Sequence, residues 1–232
     1  MISSMPKWVG GWMKPNVRIT EVVLISPGIR KIRLEGAIAR MNFQVGYANV
    51  IRVSETEYRN YTVAWFDKKE GLLDIVLNVH GHGVGSQYME NLQPGDELYL
   101  SSPRGFKAYD PKVKQQLIFG DETSLGLSCA FLPVLEQNQH QFRFYFELDE
   151  ANQEAPELLG LKNYTIFPKQ QLFRNEAWIG GLPLMDDADW QSAHFVLTGN
   201  VKSVQTFRRV LKSKTSGKVL AQGYWLEGKK GL

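Results

Sequence analysis

With 232 residues, the chain is long enough for two small domains, each able to bury its own core. A hydrophobic content of 43% and a charged content of 22% exclude a disordered or fibrous protein, and a net charge of +3 is too weak to argue for a nucleic-acid partner. A single cysteine, Cys129, excludes an intrachain disulfide and a cysteine-built metal site.

The first residues lack the basic start and apolar core of a signal peptide, and no stretch is long enough to span a bilayer. The expectation is a cytoplasmic protein with no membrane insertion. Residues 1 to about 16 read as an irregular leader whose Trp8 and Trp12 would dock on the body or on a partner. From Val17 the apolar period becomes two, predicting strands over 17–25, 29–34, 45–53, 61–66, 72–79 and 97–100. Pro27-Gly28 marks a turn between the first two. Six antiparallel strands and one short helix at 84–92 suggest a closed barrel, which removes exposed edges.

The charged, Pro-containing stretch between Gly105 and Gln116 reads as a domain boundary. It divides the chain into residues 1–107, the barrel, and 113–232, an α/β domain. Beyond it strands and helices alternate. Strands are predicted over 116–119, 142–148, 164–167, 194–197 and 218–222, and helices over 125–136, 154–159 and 201–212, with a short one near Trp190. That order implies a parallel sheet with crossovers. In the last helix Val204, Phe207 and Leu211 share one face, with Arg208, Arg209 and Lys212 opposite. Pro133 stands near the end of helix 125–136 and is expected to bend it. Cys129, in the same apolar run, is expected to be a buried small hydrophobe.

Several segments carry chemistry. In Arg59-Asn60-Tyr61-Thr62 the tyrosine offers an aromatic face, the threonine a hydroxyl, and the arginine a fork for phosphate oxygens. The turn Gly83-Val84-Gly85-Ser86, after the strand that His80 closes, lets backbone approach a phosphate at a helix start. Each segment alone is read more simply as hairpin and turn, and it is their order and spacing that raise the functional reading. In an open parallel sheet, ligands sit beyond the carboxyl ends of the strands. That picks out Gly120-Asp121-Glu122-Thr123-Ser124 after the first strand and Thr198-Gly199-Asn200 after the fourth. Between Val201 and Leu232 eight Lys/Arg stand against one acid, Glu227, so this end should attract anions, with a solvated helix face as the plain alternative. His82, His140 and His194 are lone, no His/Asp/Glu set has metal-ligand spacing, and no bound metal is expected.

Taken in order, R-x-Y-T at Arg59–Thr62, the His80 and Gly83–Ser86 turn, Pro94-Gly95-Asp96, Pro103-Arg104-Gly105, Gly120-Asp121-Glu122-Thr123 and the C-terminal Gly223-Tyr224-Trp225 resemble the siderophore-interacting proteins. These are flavin-dependent ferric-siderophore reductases related to the ferredoxin-NADP reductases. The resemblance runs from about Arg18 to Gly228.

The resemblance implies FAD held by Arg59, Tyr61, Thr62, Val63, His80, Gly83, Gly85, Ser86, Thr123, Tyr224 and Trp225. It implies NAD(P)H across Gly120, Asp121, Glu122, Thr123, Ser124 and Gly199, with ferredoxin as an alternative donor. An anionic ferric siderophore would be the substrate, with Lys212, Lys214, Lys218 and Lys229 as candidate contacts. Hydride transfer to the flavin followed by single-electron transfer to Fe(III) would release Fe(II). Two departures stand out: Ala64 where the family carries a basic residue, and Asn200 where it carries glutamate. They motivate the alternative of a redox-inactive siderophore-binding protein, beside that of a general flavin or ferredoxin reductase. Acidic Asp149 and Glu150 after the second strand lean toward NADH, and a monomer is expected.

Overall fold

The computed structural model describes residues 14–81, 83–105 and 107–229; Trp8, Trp12, His82 and Lys230 lie outside them. Seven strands form one antiparallel sheet: β1 (Val17–Ser26), β2 (Ile29–Gly36), β3 (Tyr47–Arg52), β4 (Tyr58–Asp67), β5 (Leu72–Asn78), β6 (Glu97–Leu98) and β7 (Arg104–Gly105). Their order is β6-β1-β2-β5-β4-β3-β7. The sheet curls until Leu100, just past β6, bridges to Ile51 on β3, and Ser101 N–H donates to the Val50 carbonyl at 3.1 Å. Pleat alternation sends Ile19, Ile32, Leu34, Ile51, Leu73, Ile75 and Leu77 inward, where Met89 and Leu92 from the region of helix α1 (Val84–Glu90) complete the core. The seventh strand, beyond the six expected, is the two-residue pairing of Arg104–Gly105 with Tyr47–Ala48. A pair that short carries no periodicity to read.

The second half is a parallel sheet of β8 (Gln115–Gly120), β9 (Gln141–Leu148), β10 (Tyr164–Pro168), β11 (His194–Asn200) and β12 (Lys218–Trp225), ordered β10-β9-β8-β11-β12. Helices α2 (Leu125–Gln137), α3 (Ala155–Leu158), α4 (Glu176–Gly180) and α5 (Val201–Lys214) complete it. On α5, Val204, Phe207, Val210 and Leu211 are buried, while Arg208, Arg209 and Lys212 face out, as the spacing requires. The region before β11, expected to hold one short helix, instead holds α4 and single turns at Pro183–Met185 and Ala188–Trp190. Gly, Pro and Asp interrupt any longer helical run there.

The two sheets share a core. Helix α2 is apolar on nearly every side because it lies between them: Leu125, Leu127, Phe131 and Leu135 cluster with Ile118, Phe144 and Phe146 of the parallel sheet and with Ile29, Ala64 and Val76 of the barrel. This explains why β5 is buried on both faces, its odd residues filling the barrel and Val76 meeting the helix. The approach is close at Gly126, where a Cβ would stand 3.4 Å from the Thr62 carbonyl oxygen. Asn152 adds a polar tie, its side-chain oxygen accepting from Ser26 Oγ at 2.8 Å and Gly28 N–H at 3.1 Å.

At the opposite end of the parallel sheet, His194 is fully buried, level with Gln116 and Lys218 on the flanking strands. Neither ring nitrogen has a hydrogen-bond partner. Burial, assisted by the Lys218 charge and opposed by Asp110, pushes its pKa down to about 4 from 6.5. The folded state thus keeps the ring neutral where the unfolded chain takes up a proton, so stability is full above pH 6.5 and falls as pH drops toward 4. Glu122 and Glu147, whose carboxyls are raised chiefly by burial, act with the opposite sign. The test is therefore a difference: urea midpoints of a His194→Gln variant should lose less across this window than those of the parent. Parallel pH profiles would refute it.

Candidate active site

The first part of the site is a cradle between β4 and α1. Arg59 and Tyr61 alternate onto the side of β4 that faces the helix, and Gly85 lets the two elements touch. A Cβ at Gly85 would lie 3.0 Å from Arg59 Cγ and 3.4 Å from the Tyr61 hydroxyl. The loop entering α1 turns through Gly83 at φ 85°, a conformation that favours glycine. Ser86 holds that loop, its hydroxyl accepting from the backbone N–H groups of His80 at 2.9 Å and Gly81 at 3.2 Å. The Arg59 guanidinium remains partly exposed, donating to the Tyr58 carbonyl at 2.9 Å and to Glu57 at 3.2 Å. Burial raises the Tyr61 phenol, with Arg59 opposing, so it stays protonated at any ordinary pH. Val63, also expected to contact a cofactor, is a buried member of the barrel core.

The second part joins the two sheets. Thr62, next to Tyr61, and Thr198 both stand beside the Tyr224 hydroxyl, and burial lifts this phenol to about 12. Thr198 Oγ1 lies 2.8 Å from Ser124 Oγ. The hydroxyls of Thr62, Tyr224, Thr198 and Ser124 thus line the seam, from barrel to β12 to β11 to the loop after β8.

The third part is the carboxyl edge of the parallel sheet, where Asp121 is the central acceptor. One oxygen accepts from the Thr123 N–H at 2.9 Å and from the Thr123 hydroxyl. The other accepts from Asn200 N–H at 2.8 Å and Trp225 Nε1–H at 2.7 Å. Gly199, at φ 101°, passes so close that a Cβ would fall 2.6 Å from this oxygen. Asn200 in turn caps α5, accepting from the N–H groups of Lys202 at 2.9 Å and Ser203 at 3.4 Å.

The expected nucleotide-contact residues are therefore gathered, but most face inward. Gly120, Asp121, Glu122, Ser124 and Gly199 are buried, and Thr123 is the half-exposed member. Glu122 accepts from Asp149 N–H at 2.7 Å and from Lys169 Nζ at 2.7 Å; burial raises its carboxyl while Lys169 opposes.

The four candidate lysines divide. Lys218 is level with His194, the first residue of β11, whereas Trp225 is level with Asn200, the last. Lys212 and Lys214 close α5, which runs back from that carboxyl edge, and Lys214 donates to the Gly180 carbonyl at 3.1 Å. These three stand at the far end of the sheet from Thr62 and Tyr224. Lys229, following β12, stays on the near side.

Ala64 is buried, with the β4–β5 register shift falling between Val63 and Trp65, and it packs into the core shared with α2.

Sequence reasoning missed Glu147, Lys169, Arg174 and Glu227 at this edge. Glu147, buried and accepting from Ser203 Oγ at 2.9 Å, had a visible signal as an acid within the apolar run Phe142–Leu148. Lys169 and Arg174 are isolated loop cations with none. Among the described residues no group of His, Cys, Asp and Glu could hold a metal ion, and no helix is long and apolar enough to cross a membrane.

Replacing Asp121 by Ala would strand buried donors on three separate segments. We expect a loss of about 3 kcal/mol or more in urea unfolding; a variant as stable as the parent would show that water replaces the carboxylate.

Comparison with known proteins agrees with this geometry. Residues 16–109 match the family model of the oxidoreductase FAD-binding domain. An uncharacterized protein of Mycobacterium tuberculosis is 34% identical over 92 residues, 38% of this chain and 32% of that relative. The match thus spans about a third of the curated relative's length. Among solved structures, the siderophore-interacting protein SipS from Aeromonas hydrophila superposes with a TM-score of 0.75 at 20% identity, covering 94% of each chain. A siderophore utilization protein from T. fusca gives 0.73 at 20% identity, covering 95% of this chain and 97% of that one. Residues 16–109 thus match an oxidoreductase FAD-binding domain, and the chain as a whole shares its fold with solved siderophore-interacting proteins.

Proposed function

We propose that the chain is a flavin-dependent reductase of ferric siderophores, taking electrons from NAD(P)H or ferredoxin and acting as a monomer in the cytoplasm. The observation that carries this reading is the cradle of Arg59, Tyr61 and Gly85 beside the Thr62–Tyr224 contact. It lies in the part of the chain that matches an FAD-binding domain, at the seam with a parallel sheet. The residues fit the cofactor: Gly85 lets Arg59 and Tyr61 close against α1, and Gly83 has nothing within 4 Å of where its Cβ would be, so the loop beside them is open to a ligand.

Arg59 would hold a phosphate through its fork, exchanging the Glu57 pair for a stronger one. Tyr61 and Thr62 would flank the ring system, with Thr123, Tyr224 and Trp225 closing the seam. FAD, when bound, accepts an electron pair as hydride and delivers single electrons. The Thr62, Tyr224, Thr198 and Ser124 hydroxyls would line the seam, and burial keeps the Tyr224 phenol protonated as a neutral donor. The siderophore's Fe(III) is the substrate; of the four lysines, Lys229 is the one this reading retains as a contact for an anionic chelate.

The test is an anaerobic assay in which FAD-loaded protein, NADH or NADPH, and ferric hydroxamate or catecholate complexes are mixed with a chromogenic Fe(II) chelator. The reading expects Fe(II) to appear only with protein, and Arg59→Ala to weaken FAD binding by about tenfold or more. Reduction of free flavin or a partner protein, with ferric chelates ignored, would favour the general-reductase alternative. Ala64 supports a second reading, a siderophore-binding protein without redox activity, since β4 then carries Arg59 as its one cation. Tryptophan quenching by a siderophore without Fe(II) release would favour it.

Because Ala64 sits in an apolar core, Ala64→Arg should not restore a family-like phosphate contact. It should destabilise the chain by roughly 3–5 kcal/mol, as an unpaired buried charge does, with no gain in FAD retention. A stable variant that holds FAD more tightly would contradict the placement.

A further inference from the structure

The carboxyl edge of the parallel sheet is where a pyridine nucleotide would lie, yet its cations are already engaged by carboxylates of the chain itself. Lys169 lies on Glu122 at 2.7 Å and Asp149 at 3.3 Å, with its ammonium 5.4 Å from the centre of the Trp225 ring. Arg174 Nη2 pairs with Glu227, and Lys202 Nζ, in the first turn of α5, is 3.8 Å from the other Glu227 oxygen. Arg174 follows β10 and Glu227 follows β12, the two outermost strands. The pair therefore reaches across the whole carboxyl edge.

The chain builds this contact locally. After Trp225 the backbone turns back, with Lys229 N–H donating to the Leu226 carbonyl at 3.1 Å and Gly228 at φ 75°. That turn presents Glu227 to the cations. Glu227 keeps 42% of its side-chain surface exposed while Arg174 keeps 22%, so the acid lies on the outer side of the guanidinium. Burial alone would raise the Glu227 carboxyl, but the Arg174 hydrogen bond, the Glu227 backbone N–H and the Arg174 charge bring it down to about 2. It is an anion at any working pH. With Asp121, Glu122 and Glu147 also at this edge, a phosphate entering here meets acids and no uncommitted Arg174.

We propose that Glu227 is a specificity-determining residue of the donor crevice: its carboxylate holds Arg174 and Lys202 in place of a nucleotide phosphate, so the turn at 226–229 must swing away before a phosphate-bearing donor can seat. This rests on the reading of the crevice as a pyridine-nucleotide site. It also gives the departure at Asn200 a consequence, since a neutral residue there tolerates the approach of Glu227 where a second carboxylate would repel it.

Calorimetric titration of the FAD-loaded full chain with two probes, inorganic pyrophosphate and NADPH, tests this in the parent, in Glu227→Gln and in Glu227→Gln combined with Arg174→Ala. We expect pyrophosphate to bind Glu227→Gln about tenfold more tightly than the parent, the scale of one released charge-assisted hydrogen bond. The gain should vanish when Arg174 is also removed. Glu227→Asp, whose carboxylate falls one methylene short of Arg174, should lie between, and decides the matter if the Gln variant melts early. Equal pyrophosphate affinity in the parent and in the Gln or Asp variant overturns the proposal. Tighter pyrophosphate binding with no NADPH binding in any variant supports the role of Glu227 over the cations and removes the donor reading instead.

Discussion

The carboxylate of Asp121 receives hydrogen bonds from the loop it belongs to, from the backbone that starts α5 and from the indole of Trp225. It is 2% exposed. A buried carboxylate is costly unless its oxygens are met by donors, so the three segments are held to the positions that meet it. Much of the candidate site follows from that constraint. Fixing Trp225 fixes Tyr224 beside it, and Tyr224 reaches Thr62 on the barrel. The loop that is expected to greet a nucleotide is therefore organised by an internal anion.

A second constraint is the shared core around α2. A barrel and a parallel sheet joined by a short linker are often free to move relative to each other, because such interfaces tend to be small and polar. Here the outer face of β4 and β5 is covered by an apolar helix belonging to the other sheet, and Asn152 ties the β1–β2 turn to the loop after β9. Thr62 and Tyr224 come together because α2 fixes β4 against the parallel sheet, whose edge strand β12 packs on β11 and α5. The same packing explains Ala64: a side chain at that point of β4 enters the interface, leaving Arg59 to supply the positive charge of the strand.

The barrel and the parallel sheet were legible because period-two strands and the alternation of strand and helix leave strong patterns, and the R-x-Y-T strand and the glycine turn stand together as their order suggested. What escaped the sequence has a common physical character. Lys169 and Arg174 find their acids, Glu122 and Glu227, across dozens of residues, and long-range ion pairs have no local signature. Lys218 read as one of a basic series, yet strand register places it beside His194, far from the seam. The run of positive charge was counted along the chain, whereas α5 reverses direction and spreads it over both ends of the sheet. The glycine at 199 was legible as a turn, but its reason, the Asp121 oxygen that a Cβ would strike, required the fold.

The central claim is that the β4–α1 cradle and the Tyr224 seam together hold FAD. Incubating the protein with FAD, desalting it and recording the visible absorbance and flavin fluorescence tests this directly. The account predicts retained flavin bands in stoichiometric amount with fluorescence quenched by Tyr61 and Tyr224. A colourless protein, with all the FAD eluting free, would contradict it.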